Sequence, residues 1–183
     1  MSKVAVLIDV QNLYHSAKLF CKGKVSYKHL IAKIGEEREI SFARAYAAHK
    51  DPKESKSFYS ALEAIGISVY HKKVLVKHES GGSRVVPVHF DVEISTDALT
   101  LADEIDTVVL CTGNGNFTYL ANALVDCGLK VEVWSFSEST SKELISSENW
   151  KFVQIPIECI LGNTPEEITA SLENAKNAQP VKQ

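Results

Sequence analysis

The chain has 183 residues, of which 45% are hydrophobic and 23% charged, and its formal net charge is −3 at pH 7. These values predict one globular domain and exclude a disordered or fibrous chain. A slightly acidic protein does not bind nucleic acid through its overall charge, so binding of that kind would need a local basic patch.

The four cysteines lie far apart with no CxxC pair, which disfavours a zinc site or a disulfide framework. No apolar run approaches the ~20 residues of a membrane span. The first residues also lack the long apolar core of a signal peptide. We therefore expect a cytoplasmic protein with reduced thiols and no membrane segment.

Short apolar runs alternate along the chain with segments that carry apolar residues at helical spacing. The runs predict strands at 4–8, 39–48, 67–76, 107–111, 130–136 and 152–155, and the spacing predicts helices at 13–20, 27–34, 52–65, 91–102, 117–127 and 139–146. This alternation is typical of an α/β fold, here a three-layer α/β/α architecture with a mostly parallel central sheet. Residues 1–160 form the predicted domain. The polar residues 161–183 are expected to form a flexible tail with at most one or two helical turns.

Polar residues follow two of the predicted strands directly. Asp9 ends the first apolar run, and a loop from Thr112 to Asn116 follows the run at 107–111. Ligands of open α/β sheets collect beyond the carboxyl ends of the strands, so the two segments form one site if their strands are neighbours. The alternative is structural: Asp9 and Asn116 would each cap the helix that follows.

Two further acids lie in the helix predicted at 91–102. Asp91 and Asp97 are six residues apart, so a regular helix cannot direct both at one site, whereas Glu93 and Asp97 share a face. The alternative for Asp91 is that it caps the helix. A basic stretch between residues 50 and 78 supplies candidate RNA-binding residues, namely Lys50, Lys53, Lys72 and Lys73, although such stretches are more often solvated faces.

Three segments, VLIDVQNLY, DVEISTDALTLADEIDTVVLCTGNGNF and KVEVWSFSESTSKEL, occur in this order along the chain. Together they resemble the NYN domain, in particular the LabA-like branch of the PIN-like nuclease superfamily. The resemblance implies a metal-dependent endoribonuclease that acts on RNA phosphodiesters. In such enzymes, acids from several strand ends hold Mg²⁺ or Mn²⁺, which activates water and neutralises charge at the phosphate.

The resemblance also implies a role for individual residues. It makes Asp9, Asp91 and Asp97 catalytic and metal-binding acids, adds Asn116 as a metal ligand, and makes Asn12, Thr112 and Asn114 supporting polar groups. The family pattern S-G-D-x-D-F is T-G-N-G-N-F here, so amides stand at positions 114 and 116 where acids are expected. Because an amide brings no charge, we expect weak binding of one ion by the three remaining acids.

Three explanations of these amides stay open: a natural non-cutting relative, an engineered inactive form, or slow cleavage with a single ion. The alternative function is a catalytically inactive RNA-binding or regulatory protein-interaction module of the same fold, with a protein partner or a homodimer as further possibilities. A nucleotide-binding domain is disfavoured because no GxGxxG or P-loop spacing is present. His15 and His89 show no ligand or triad spacing and are interpreted as structural or exposed.

Overall fold

The structure is a computed structural model, and it describes residues 1–79 and 82–177. Its strands are β1 Lys3–Asp9, β2 Lys24–Val25, β3 Glu39–His49, β4 Ser68–Lys73, β5 Leu75–Glu79, β6 Gly82–Val86, β7 Thr107–Cys111, β8 Lys130–Ser135, β9 Lys151–Gln154 and β10 Ile160–Leu161. Its helices are α1 Val10–Phe20, α2 Tyr27–Ile34, α3 Pro52–Glu63, α4 Asp91–Thr100, α5 Thr118–Asp126, α6 Lys142–Ser146 and α7 Pro165–Asn177.

Six strands form the central sheet in the order β4-β3-β1-β7-β8-β9, and every neighbouring pair in it is parallel. The prediction of an α/β fold with a parallel central sheet is therefore confirmed. From β1 the chain proceeds outward to β4, and from β7 it proceeds in the opposite direction to β9. Because β1 pairs directly with β7, this reversal lies between them, and it is the place where open α/β sheets bind ligands.

Alternate side chains of β1 pack into two separate cores on the two faces of the sheet. Val4, Val6 and Ile8 pack into the core that includes α1, α2, α3 and α7. Ala5 and Leu7 pack into the core that includes α4, α5 and α6. This period of two explains why a strand covered on both faces reads as an unbroken apolar run.

The strand predicted at 67–76 is divided in the structure. β4 ends at Lys73, where the N–H of Val74 donates to the carbonyl of His49 at 2.8 Å, and β5 then pairs with β6 as an antiparallel hairpin. The Gly- and Ser-rich composition of residues 79–83 is typical of a loop, but residues 79, 82 and 83 belong to the hairpin strands, and residues 80 and 81 lie outside the described residues.

Helix α7 is longer than the one or two turns predicted for the C-terminal segment. It has 13 residues, and Ile168 is buried against the core that includes α1. Its start is a reciprocal capping box: the N–H of Thr164 donates to Glu167 Oε2 at 2.9 Å, and the N–H of Glu167 donates to Thr164 Oγ1 at 3.3 Å. The division at residue 160 into a domain and a flexible tail stays a prediction. Within the described part of the chain, no helix is long and apolar enough to cross a membrane.

Candidate functional site

Asp9 lies at the carboxyl end of β1 and accepts hydrogen bonds from α1 and from the loop after β7. Its Oδ1 accepts the N–H of Asn12 at 3.1 Å, which makes it the N-cap of α1, and its Oδ2 accepts the hydroxyl of Thr112 at 3.2 Å. Burial raises the pKa of this carboxyl and nearby Asp91 adds to the rise, while the hydrogen bonds and His89 oppose it. Asp9 is therefore the N-cap of α1, and it also places a carboxylate at the switch point, the reversal of strand order between β1 and β7.

The loop after β7 is ordered by hydrogen bonds to Asn12 of α1 and to its own side chains. Asn12 Oδ1 accepts the N–H of Gly113 at 2.8 Å, and Thr112 Oγ1 accepts the N–H of Asn114 at 3.2 Å. Asn114 Oδ1 then accepts the N–H of Asn116 at 3.1 Å and caps the helical turn 115–117. The capping residue is thus Asn114, and the alternative that Asn116 caps the following helix was wrong.

The glycine at position 113 is required by close packing behind the loop. A Cβ there would lie 2.8 Å from Thr140 Oγ1 and 2.9 Å from Ser135 Oγ. Both contacts come from the third of the three family-like segments, in which Ser135 ends β8 and Thr140 follows it. The loop and that segment therefore fit together only if residue 113 has no side chain.

Asp91 faces the loop from the first turn of α4. Its Oδ2 accepts the side-chain N–H of Asn116 at 2.9 Å, and α4 has no side-chain cap bond. The alternative that Asp91 caps its helix was therefore wrong. An amide stands in direct contact with Asp91 at the position where the family pattern has an acid.

These segments surround an open cleft of about 390 Å³. Asp9, Asn12, Asp91 and Asn114 form its polar wall, and His15 and His89 lie on the same cleft. Both histidines are exposed, which agrees with their interpretation as structural or exposed, but their place on the cleft was not predicted. The available signal was positional: His89 precedes Asp91 by two residues, and His15 lies one turn after Asn12 on α1.

Asp97 lies apart from this cleft. Its Oδ2 accepts from Arg44 Nη1 at 2.7 Å and from the Tyr46 hydroxyl at 2.5 Å. Burial, reinforced by this hydrogen bond, raises the pKa of Tyr46, so the hydroxyl remains a donor. Glu93, on the same helix face, pairs with Lys72 at 2.6 Å. The described residues contain no group of three or more His, Cys, Asp or Glu side chains that would hold a metal ion.

The four lysines proposed for RNA binding differ in their surroundings. Lys72 pairs with Glu93, donates to the carbonyl of His89 at 3.0 Å and lies over the ring of Phe90. Lys50 and Lys73 line a neighbouring cavity of about 390 Å³ beside the cleft. Lys53 is exposed in the first turn of α3.

A family model for the NYN domain matches residues 3–157. The chain belongs to the NYN domain family. The fold and the three sequence segments agree with this membership, and NYN domains are a PIN-like nuclease family, as the resemblance implied.

Two known proteins are similar to this NYN domain. The low amplitude and bright protein LabA of Synechococcus elongatus is 28% identical over 122 residues, which cover 63% of this chain and 64% of LabA, less than two thirds of its length. A crystal structure of a protein of unknown function from Vibrio parahaemolyticus has a TM-score of 0.75 and 29% identity, and the match covers 87% of this chain and 96% of that one.

Proposed function

We propose that this NYN domain binds RNA at the cleft formed by Asp9, Asp91 and the loop at 112–116, with the backbone phosphates at the cleft. The observation that carries the proposal is the convergence of Asp9 and the family-like loop at the β1–β7 switch point, bridged by the hydrogen bond from Thr112 to Asp9. NYN family membership supports RNA as the partner.

The charge distribution of the chain supports the approach of RNA from the side of the cleft. Exposed carboxylates stand at the amino ends of the strands, opposite the cleft: Glu36, Glu37, Glu39, Asp103, Glu104 and Asp106. Lys50 and Lys73 stand at the carboxyl edge, in the cavity beside the cleft. Exposed lysines at the starts of β1, β8 and β9 stand at the amino ends as well, but the acids there outnumber them, so the approach of a polyanion from the amino ends is disfavoured.

The oxygen ligands that the cleft offers determine how well it can hold a divalent ion. Asp9 and Asp91 bring two carboxylates, while the side chains of Asn114 and Asn116 are engaged in hydrogen bonds within the wall. Mg²⁺ is commonly held by one or two carboxylates together with waters and substrate phosphate. These residues therefore fit one hydrated Mg²⁺ or Mn²⁺ on Asp9 and Asp91. A bound ion would supply positive charge that neutralises a phosphate oxygen.

The second candidate function is slow metal-dependent hydrolysis of the bound RNA. It is favoured by the two carboxylates of Asp9 and Asp91 at the cleft, since carboxylates are the groups that hold the divalent ion of such a hydrolysis. Asp97 is held by Arg44 and Tyr46. In this proposal Asp97 positions α4, and through it Asp91.

The test is binding and cleavage of a labelled single-stranded RNA in EDTA and in Mn²⁺. We expect wild-type protein to bind RNA in both buffers and to gain affinity in Mn²⁺, and Asp9→Asn to lose that gain. Asp103→Asn, which removes an exposed acid at the opposite edge, is the matched control. Absence of RNA binding in either buffer would overturn the proposal.

Cleavage separates the two candidates. Restoring both acids with Asn114→Asp and Asn116→Asp should produce Mn²⁺-dependent cutting if the scaffold is intact. Cutting by the wild-type protein that disappears in Asp9→Asn would establish the ribonuclease. RNA binding without any wild-type cutting would establish the binding module.

A further inference from the structure

The exposed face of α1 leads away from the cleft toward a second cavity. Asn12 and His15 line the cleft at the start of the helix, and Tyr14 and Lys18 line a cavity of about 420 Å³ further along. Residues three or four apart share a helix face, and Gln11 and Lys18 lie about 10 Å apart along α1 at the rise of a helix. The two cavities are therefore joined by one face of one helix.

The second cavity is basic. Its lining comprises Tyr14, Lys18, Lys22, Gly23, Lys24, Leu161 and Gly162. No carboxylate of the described residues is within ion-pair distance of Lys18, Lys22 or Lys24, whereas Lys33, Arg38, Arg44 and Lys72 are all paired. Three exposed lysines without an ion pair in the described part of the chain are therefore grouped around this one cavity.

The turn that presents these lysines is fixed. Lys22 has a positive φ of 51°, a conformation that costs a residue with a side chain about 1–2 kcal/mol. Gly23 packs so closely on β10 that a Cβ would lie 2.6 Å from Ile160 Cγ2 and 2.7 Å from the carbonyl oxygen of Leu161. The N–H of Gly23 also donates to the carbonyl of Ala17 at 3.3 Å. Lys22 and Lys24 are consequently held at the cavity by the backbone.

An exposed aromatic ring completes the surface. Tyr14 is 43% exposed, and Lys18 Nζ lies 5.8 Å from the centre of its ring. Lysines for phosphates beside an aromatic face for a base are the composition of surfaces that bind single-stranded nucleic acid. Because this surface adjoins the proposed RNA cleft, we expect it to bind the continuation of the same RNA strand and not a different partner.

We propose that α1 carries a single RNA strand from the cleft to the cavity formed by Tyr14, Lys18, Lys22 and Lys24. This inference rests on the proposed function of the cleft. The lysines contact phosphates, and Tyr14 stacks on a base. The surface adds affinity for long strands and none for strands that occupy the cleft alone.

The experiment measures fluorescence anisotropy of oligouridines of about 4 and about 16 nucleotides in EDTA. The test variant is Lys18→Gln/Lys22→Gln/Lys24→Gln. The matched control is Lys3→Gln/Lys130→Gln/Lys151→Gln, which removes the same charge from exposed lysines at the starts of β1, β8 and β9. Both variants should keep the wild-type circular dichroism spectrum, since all six side chains are exposed.

We expect the test variant to bind the short strand as wild-type protein does and the long strand about tenfold more weakly. Its salt dependence should fall by about 2 in the slope of log affinity against log salt, since each single-strand phosphate contact contributes about 0.7. Tyr14→Ala should weaken long-strand binding about fivefold or more, and Tyr14→Phe should not, because stacking needs the ring and not the hydroxyl.

Equal long-strand affinity for the test and control variants would overturn this inference and leave the cleft proposal standing. Failure of wild-type protein to bind either strand would overturn both. A loss of self-association in the test variant, with unchanged RNA binding, would show that the surface binds a second copy instead, and would also overturn it.

Discussion

The hydrogen bond between Asn116 and Asp91 provides a test of whether an acid at position 116 would form a cation site with Asp91. The side-chain N–H of Asn116 lies 2.9 Å from Asp91 Oδ2, where a second acid would instead face a carboxylate. In Asn116→Asp the hydrogen bond is lost and two negative charges meet. We expect this variant to be less stable than wild-type protein when no cation is present, and to recover when one is added.

The magnitude follows from the geometry. Loss of a hydrogen bond costs about 1 kcal/mol net, and two charges about 4 Å apart repel by about 1 kcal/mol in water. The aqueous value applies because Asn116 is exposed. About 2 kcal/mol corresponds to a fall in Tm of about 4–8 °C for a chain of this size. A cation at 100 times its Kd returns about 2.7 kcal/mol.

The assay is thermal unfolding in EDTA and in Mn²⁺, followed by circular dichroism. Asn149→Asp, which changes the charge of another exposed asparagine, is the control, and it and wild-type protein should both gain less stability from Mn²⁺ than Asn116→Asp. If Asn116→Asp melted like wild-type protein in EDTA and gained nothing from Mn²⁺, residues 91 and 116 would not form a cation site, and the account of this wall would fail.

Three further predictions concern the surroundings of the cleft. Burial raises the pKa of Asp9 above its ordinary 3.8, so the wild-type protein loses stability as pH rises from 3.8 through the folded-state pKa. Asp9→Asn lacks this titration and should therefore gain stability in urea unfolding, relative to wild-type protein, over the same pH range. A stability difference that does not change with pH would refute this prediction. Asp97→Asn should lower the free energy of unfolding by about 1–2 kcal/mol, because it weakens the partly exposed ion pair between Asp97 and Arg44. If Asp97→Asn instead abolished Mn²⁺ binding in the Asn116→Asp background, Asp97 would be a metal ligand. Gly113→Ala should lower the free energy of unfolding in urea by about 1–3 kcal/mol, because its Cβ would contact Thr140 and Ser135. Adding Ser135→Ala should recover part of that loss. Strictly additive effects of the two changes would refute the packing argument.

The sequence predicted the part of this site that depends on strand burial. An apolar run covered on both faces belongs in the middle of a sheet, and the polar residue after it then stands at the carboxyl edge. That argument places Asp9 and the loop at 112–116 at one edge, and the direct pairing of β1 with β7 brings them into contact. The helix geometry likewise indicated that Asp91 and Asp97 point in different directions.

The partners of the acids could not be predicted in the same way. Arg44 and Tyr46 reach Asp97 across 53 and 51 residues of sequence, and they face α4 because alternate residues of β3 share one side of the sheet. Which acid such a pair will meet depends on how α4 lies on the sheet, which no local pattern encodes. Helix α7 was different, because its T-P-E-E capping box was a local signal and was missed.

The two amides of the loop differ in what the fold requires of them. Asn114 caps the turn through its Oδ1, a role that an aspartate fills equally well at an N-cap, so the fold gives no reason for an amide there. Asn116 uses its N–H, which an aspartate lacks. Both substitutions remove negative charge from a wall that keeps Asp9 and Asp91. With fewer carboxylates to repel a phosphate, this wall fits the proposed RNA-binding cleft better than a two-ion catalytic centre.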